Sequence, residues 1–207
     1  MAISHHSTLV DHLLPASNSR STSLWRDGAL VIGFSLFMGL CAQFSFHIPA
    51  LTPVPITLQT LGVLLTGAAL GSKRGALALL AYLAEGALGL PFFAGGTGGF
   101  IQLIGFTGGY LWSYPIAAFV TGWLCERGLD RSVLTSALAM LPGSLIIYAL
   151  GVTWLAFWLP GGPLISMKLA FIEGMLPFLI GDTLKLIVAA LLLPTAWGIL
   201  RLGKHAR

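Results

Sequence analysis

Between Arg131 and Pro160 the chain passes through Leu, Ala, Ile, Val, Trp and Phe without one charged residue in the interior of the run, and Asp27 to Phe46 reads the same way. Uncharged apolar stretches of this length are what a helix needs to cross the hydrocarbon core of a bilayer. A soluble fold would have to cover them with a polar shell. Only 9% of the 207 residues are charged and 56% are hydrophobic, whereas soluble domains carry about a quarter charged residues. The chain is therefore expected to be an all-α integral membrane protein with the lipid bilayer as its main solvent.

Six apolar segments separate at Pro, Gly and charged positions, at about 27–47, 56–71, 75–90, 107–125, 132–158 and 180–201. They predict six transmembrane helices in a single domain over 25–203, preceded by a disordered polar tail over 1–24 and followed by a short cytoplasmic tail over 204–207. The second and third segments would span only about 24 Å as straight helices, against a core about 30 Å thick. Irregular backbone must complete those crossings, and it is tolerated at that depth where it is buried in protein or lines a cavity. Residues Met167 to Leu176 read as an amphipathic helix at the interface, with Glu173 on it.

Lys and Arg outside the segments fall on alternate connections: Arg20 and Arg26, then Lys73 and Arg74, then Arg127 and Arg131, then Arg201, Lys204 and Arg207. The connections at 47–55 and 91–106 have none, and 159–179 has only Lys168. By the positive-inside rule both termini are expected in the cytoplasm of a cell-membrane protein. The net charge of +4 does not indicate nucleic acid, since the basic residues stand in ones and twos with no dense patch. Cys41 and Cys125 lie in separate apolar segments and are expected to be packing residues, not a disulfide. His5, His6 and His12 of the tail lack Cys or carboxylate partners at ligand spacing, so no metal and no cofactor is expected.

Polar chemistry concentrates in two places. The stretch from Leu90 to Phe100 contains Phe92, Phe93, Gly95, Gly96, Thr97, Gly98 and Gly99, and reads either as an external turn or as a re-entrant loop covering a ligand, since glycine permits close backbone approach. Asp182 and Lys185 share one helix face three residues apart inside an otherwise apolar run. They read either as a helix cap with its partner or as a binding pair, because a charge at bilayer depth costs about 2.5–3.5 kcal/mol on insertion scales. Glu85 can accept a hydrogen bond or a proton, and Gln59, Gln102 and Tyr110 add neutral polar groups. Apart from His47, the histidines lie in the tails, and no nucleophile stands beside His47 in sequence, so no catalytic constellation emerges. A small membrane enzyme acting on a lipid and a channel-like protein are the alternative classes.

Four motifs together resemble the BioY family, the biotin-binding S components of energy-coupling factor (ECF) transporters: Pro53-Val54-Pro55-Ile56-Thr57-Leu58-Gln59-Thr60-Leu61, Gly89-Leu90-Pro91-Phe92-Phe93-Ala94-Gly95-Gly96, Thr107-Gly108-Gly109-Tyr110-Leu111, and Pro177-Phe178-Leu179-Ile180-Gly181-Asp182-Thr183-Leu184-Lys185. The resemblance covers about 27–200 and implies a six-helix S-component bundle importing biotin or another vitamin. It further implies a partner membrane T component and ATPase subunits as the energy source. The expected ligand residues are Asp182, Lys185, Tyr110, Thr97, Gly96, Gly98, Glu85, Phe92, Phe93 and Gln59, with the assignment of each to an end of the ligand open. Ser35 and Gly39 fall where such proteins carry a small-xxx-small face for the T component.

Overall fold

The computed structural model describes residues 8–14 and 19–205. Among these it contains nine helices: α1 (Leu9–Leu13), α2 (Arg20–Gln43), α3 (Gln59–Leu70), α4 (Ser72–Ala87), α5 (Ile101–Ile104), α6 (Gly108–Leu124), α7 (Val133–Ala156), α8 (Pro163–Gly174) and α9 (Leu176–His205). Six of them, α2, α3, α4, α6, α7 and α9, occupy the six apolar segments. Ser21–Gln43, Val133–Ala156 and Leu176–Leu200 are long and apolar enough to cross a membrane by length and composition. Leu36, Ile116, Phe119, Leu141, Leu191 and Leu192 are all more than two-fifths exposed on the outside of the bundle, an outward apolar surface suited to lipid.

Helix α6 is the central element, packing against α3, α4 and α7. Small residues bring α3 and α6 together: a side chain at Gly67 would collide with the Ala118 carbonyl, and one at Gly122 with the backbone at Gly71. Gly71 itself, at φ +84°, is the hinge that ends α3 and starts α4.

Helix α3 has only 12 residues. The chain ahead of it forms an antiparallel hairpin, β1 (Ser45–Phe46) with β2 (Ile56–Thr57), in the register Ser45↔Thr57 and Phe46↔Ile56. This is the irregular backbone that the short second segment requires, although the sequence gives no strand signal at 45–46. The third segment ends in α4 at Ala87 and continues into the glycine-rich loop, which folds through a single 3₁₀ turn at Ala94–Gly96. Helix α8 begins at Pro163, four residues before the expected amphipathic helix, and ends at Gly174, two residues short of the expected end at Leu176.

The polar start of the chain differs from the expected disordered tail wherever it is described. Thr8 and Asp11 form a reciprocal capping box around α1. Asp11 then accepts from Arg26 at 2.7 Å and from Arg74 at 2.6 Å, while His12 meets the Trp197 ring edge-on at 4.8 Å. Residues His5, His6 and Arg207 lie outside the described residues.

Candidate ligand-binding cavity

Helix α9 starts at Leu176, so Asp182 stands well inside the helix and is not its N-terminal cap. A carboxylate there has no free backbone N–H groups to satisfy, and it is satisfied by side chains instead. Oδ1 accepts from Thr60 at 3.0 Å and from Lys185 at 2.7 Å; Oδ2 accepts from the Tyr148 hydroxyl at 2.5 Å. Lys185 Nζ also donates to the Thr57 carbonyl at 2.5 Å and to Thr60 Oγ1 at 3.3 Å. The Asp182 and Lys185 side chains are 12% and 13% exposed. The pair thus ties α9 to α7, to the start of α3 and to the end of the hairpin.

Those groups form one wall of a cavity of about 340 Å³, within the usual size range for small-molecule sites. Phe178, one turn before Asp182, lines it from the same helix face. Helix α6 contributes Tyr110 and Tyr114, and α7 contributes Ile147 and Tyr148. Tyr110 is fixed by a 2.7 Å hydrogen bond to the Gly174 carbonyl, and its ring fits because neither Gly151 nor Gly174 carries a side chain there. Gln59 lines the cavity while its Nε2 donates to the Tyr82 hydroxyl at 2.6 Å; that hydroxyl donates to the Phe92 carbonyl at 3.2 Å. Phe93 stands edge-on to the Tyr82 ring with centroids 5.6 Å apart and is 2% exposed. The glycine-rich loop is closed by a Phe93–Thr97 bridge, and Ala94, Gly95 and Thr97 reach the cavity.

Of the expected ligand residues, the fold brings together Asp182, Lys185, Tyr110, Thr97, Phe93 and Gln59 at the cavity. The other four stand elsewhere. Gly96 and Gly98 belong to the loop but not to the lining, where Gly95 takes their place; a side chain at Gly98 would collide with the Leu90 carbonyl. Phe92 turns away and packs on α2, where a methyl group at Gly39 would stand 3.3 Å from its Cγ. Glu85 accepts from Ser35 Oγ at 3.1 Å between α2 and α4. These contacts also correct the expected partner-docking pair, since Ser35 is fully buried and Gly39 is buried under Phe92. The exposed small residues at this spacing on α2 are Ala29 and Gly33, which line an apolar groove with α3 and α9.

Sequence reasoning missed Tyr148, Thr60, Tyr114, Phe178 and His47 in the lining. Phe178 was accessible from the helical spacing to Asp182. Tyr148 had only the weak signal of a phenol in an apolar helix, which usually finds a hydrogen-bond partner when buried.

A helical membrane-type bundle enclosing a small cavity with a buried acid–base pair defines a membrane-embedded small-molecule-binding protein. A family model described as the BioY family matches residues 14–202, and the chain belongs to that family. It is 45% identical over 172 residues to the biotin transporter BioY of Rhodobacter capsulatus, covering 77% of this chain and 88% of that one. It is 39% identical over 171 residues to the biotin transporter BioY of Rhizobium etli, covering 79% and 87% respectively. Its fold is similar to a crystal structure of the S-component for biotin from an ECF-type ABC transporter, with a TM-score of 0.72 and 26% identity over 91% of this chain and 95% of that one. The chain is an integral membrane protein with the S-component fold.

Proposed function

We propose that the chain binds biotin in this cavity and is the substrate-binding subunit of a biotin importer. The observation that carries the reading is the Asp182 carboxylate: Asp182 lines the cavity, and its Oδ2 has one protein donor among the described residues, Tyr148, so it retains acceptor capacity for a ligand N–H. The ureido ring of biotin presents such donors. Its fused sulfur ring is apolar and suits Phe93, Phe178 and the Tyr110 ring. Lys185 holds Asp182 in place instead of meeting the carboxylate of the ligand, because its N–H groups are already used.

A lipid-acting enzyme would need a nucleophile hydrogen-bonded to an adjacent base; the lining includes His47 beside a paired acid, a paired ammonium and phenols, and no hydroxyl among the described residues hydrogen-bonds His47. The alternation of Lys and Arg supports cytoplasmic termini, with the hairpin and the glycine-rich loop on the outer side. Energy would come from a T component and ATPases, a reading supported by the likeness to the S-component for biotin from an ECF-type ABC transporter, with the T component docking at Ala29 and Gly33 of α2. The test is to purify the chain without added vitamin and measure which vitamins raise its melting temperature, since a ligand of the folded state stabilises it by RT ln(1 + [L]/Kd). Biotin should raise it and unrelated vitamins should not; no shift with biotin would overturn the reading.

A further inference from the structure

We propose that His47, on the loop of the β1–β2 hairpin, binds the carboxylate of the ligand and gives the site its preference for the free acid over neutral derivatives. This rests on the cavity being a biotin site. Biotin carries its ureido ring and its carboxylate at opposite ends, so a ligand anchored by the ring at Asp182 needs a second polar subsite further along the cavity. The full negative charge of that carboxylate requires a cationic or strongly donating partner once it leaves water.

The charged and titratable groups lining the cavity are Asp182, Lys185, His47 and the phenols Tyr110, Tyr114 and Tyr148. Lys185 has three N–H donors, and they meet Asp182, the Thr57 carbonyl and Thr60. Its charge is matched by Asp182 at 2.7 Å. The Tyr148 hydroxyl donates to Asp182 and the Tyr110 hydroxyl to Gly174; the Tyr114 hydroxyl has no hydrogen bond among the described residues and is a neutral donor. His47 lines the same cavity and has no hydrogen bond or ion pair among the described residues.

The hairpin register sets His47 apart from the level of Lys185. Ser45 pairs with Thr57, whose carbonyl holds Lys185. His47 follows Ser45 by two residues, about 7 Å along an extended strand from that level, on the side away from α3. Ser45 stands in the same lining as a neutral donor, whereas the Thr97 hydroxyl is already given to the Ala94 carbonyl.

The experiment compares biotin with biotinamide, which keeps the rings and lacks the charge, on the parent chain, His47→Gln and His47→Arg. The parent should favour biotin. His47→Gln should lose about fivefold in biotin affinity and clearly less, about twofold at most, in biotinamide affinity. His47→Arg should restore the preference for the acid. Equal losses for both ligands in His47→Gln, or no loss for either, would overturn the proposal while leaving the biotin site intact. Failure of the parent to bind either ligand would overturn the underlying reading as well.

Discussion

Tyr148 on α7 donates a 2.5 Å hydrogen bond to Asp182 Oδ2 on α9, joining two long helices at the wall of the cavity. The bond fixes the carboxylate and leaves Oδ2 with acceptor capacity beyond Tyr148. Tyr148→Phe keeps the ring and removes this donor. It should weaken biotin binding about tenfold, the effect of losing one hydrogen bond to a charged group, with the protein still purifying as a folded species. Isothermal titration of the variant is the check.

Lys185→Ala should weaken binding by at least about tenfold and also lower the melting temperature, because it leaves the largely buried Asp182 carboxylate without its cation. Adding Asp182→Asn to it should recover thermal stability without recovering binding. If Lys185→Ala and Asp182→Asn each bind biotin as tightly as the parent, the pair holds the helices together and plays no part in recognition.

Packing of Gly39 against Phe92 separates two roles on α2. Gly39→Leu should displace Phe92 and with it the glycine-rich loop, reducing stability and ligand binding together. Gly33→Leu, on the exposed face, should leave binding by the isolated chain within about twofold of the parent and impair uptake in cells that hold a T component. Paired binding and uptake assays distinguish the two. Normal uptake by Gly33→Leu would remove α2 from the docking surface.

The end of the bundle that holds α1 depends on Asp11. Burial raises the pKa of this carboxyl, but hydrogen bonds from Arg74, Arg26 and Thr8 outweigh it and hold it well below the usual carboxylate range. A carboxylate with a depressed folded-state pKa contributes stability that is fully present above its unfolded value and lost as pH falls below that value. The contribution should therefore be constant near neutrality and decline below about pH 4. Asp11→Asn should lower the melting temperature at pH 7, and the difference from the parent should shrink under acid. An undiminished difference at acid pH would show that the effect is not electrostatic.

Labelling should report the orientation. A cysteine at Lys73 or Arg131 should react only with reagent supplied from the cytoplasmic side, and one at Thr97 only from outside, each in a Cys41/Cys125-free background. Reaction of both sets from one side would contradict six crossings.

The helices were legible because each carries its own evidence: an apolar run bounded by Pro, Gly or charge is a local signal. The pairing of Asp182 with Lys185 was legible for the same reason, being a matter of helical spacing. Contacts across helices were not. Glu85 and Phe92 stand in the same local setting as true lining residues, and only the packing of α4 and the loop against Ser35 and Gly39 turns them away. The hairpin was missed because two-residue strands at 45–46 and 56–57 are too short to alternate. The N-terminal α1 was missed because its order comes from Arg74, 63 residues further along.

The central claim is that the Asp182 cavity binds biotin, and equilibrium binding tests it most directly. Ligand-free parent chain and Asp182→Asn, both in detergent and both verified as folded, are titrated with biotin. The parent should bind one biotin per chain, and the variant should bind at least about tenfold more weakly. Equal affinity in parent and variant would contradict the site, and no binding by the parent would contradict the function.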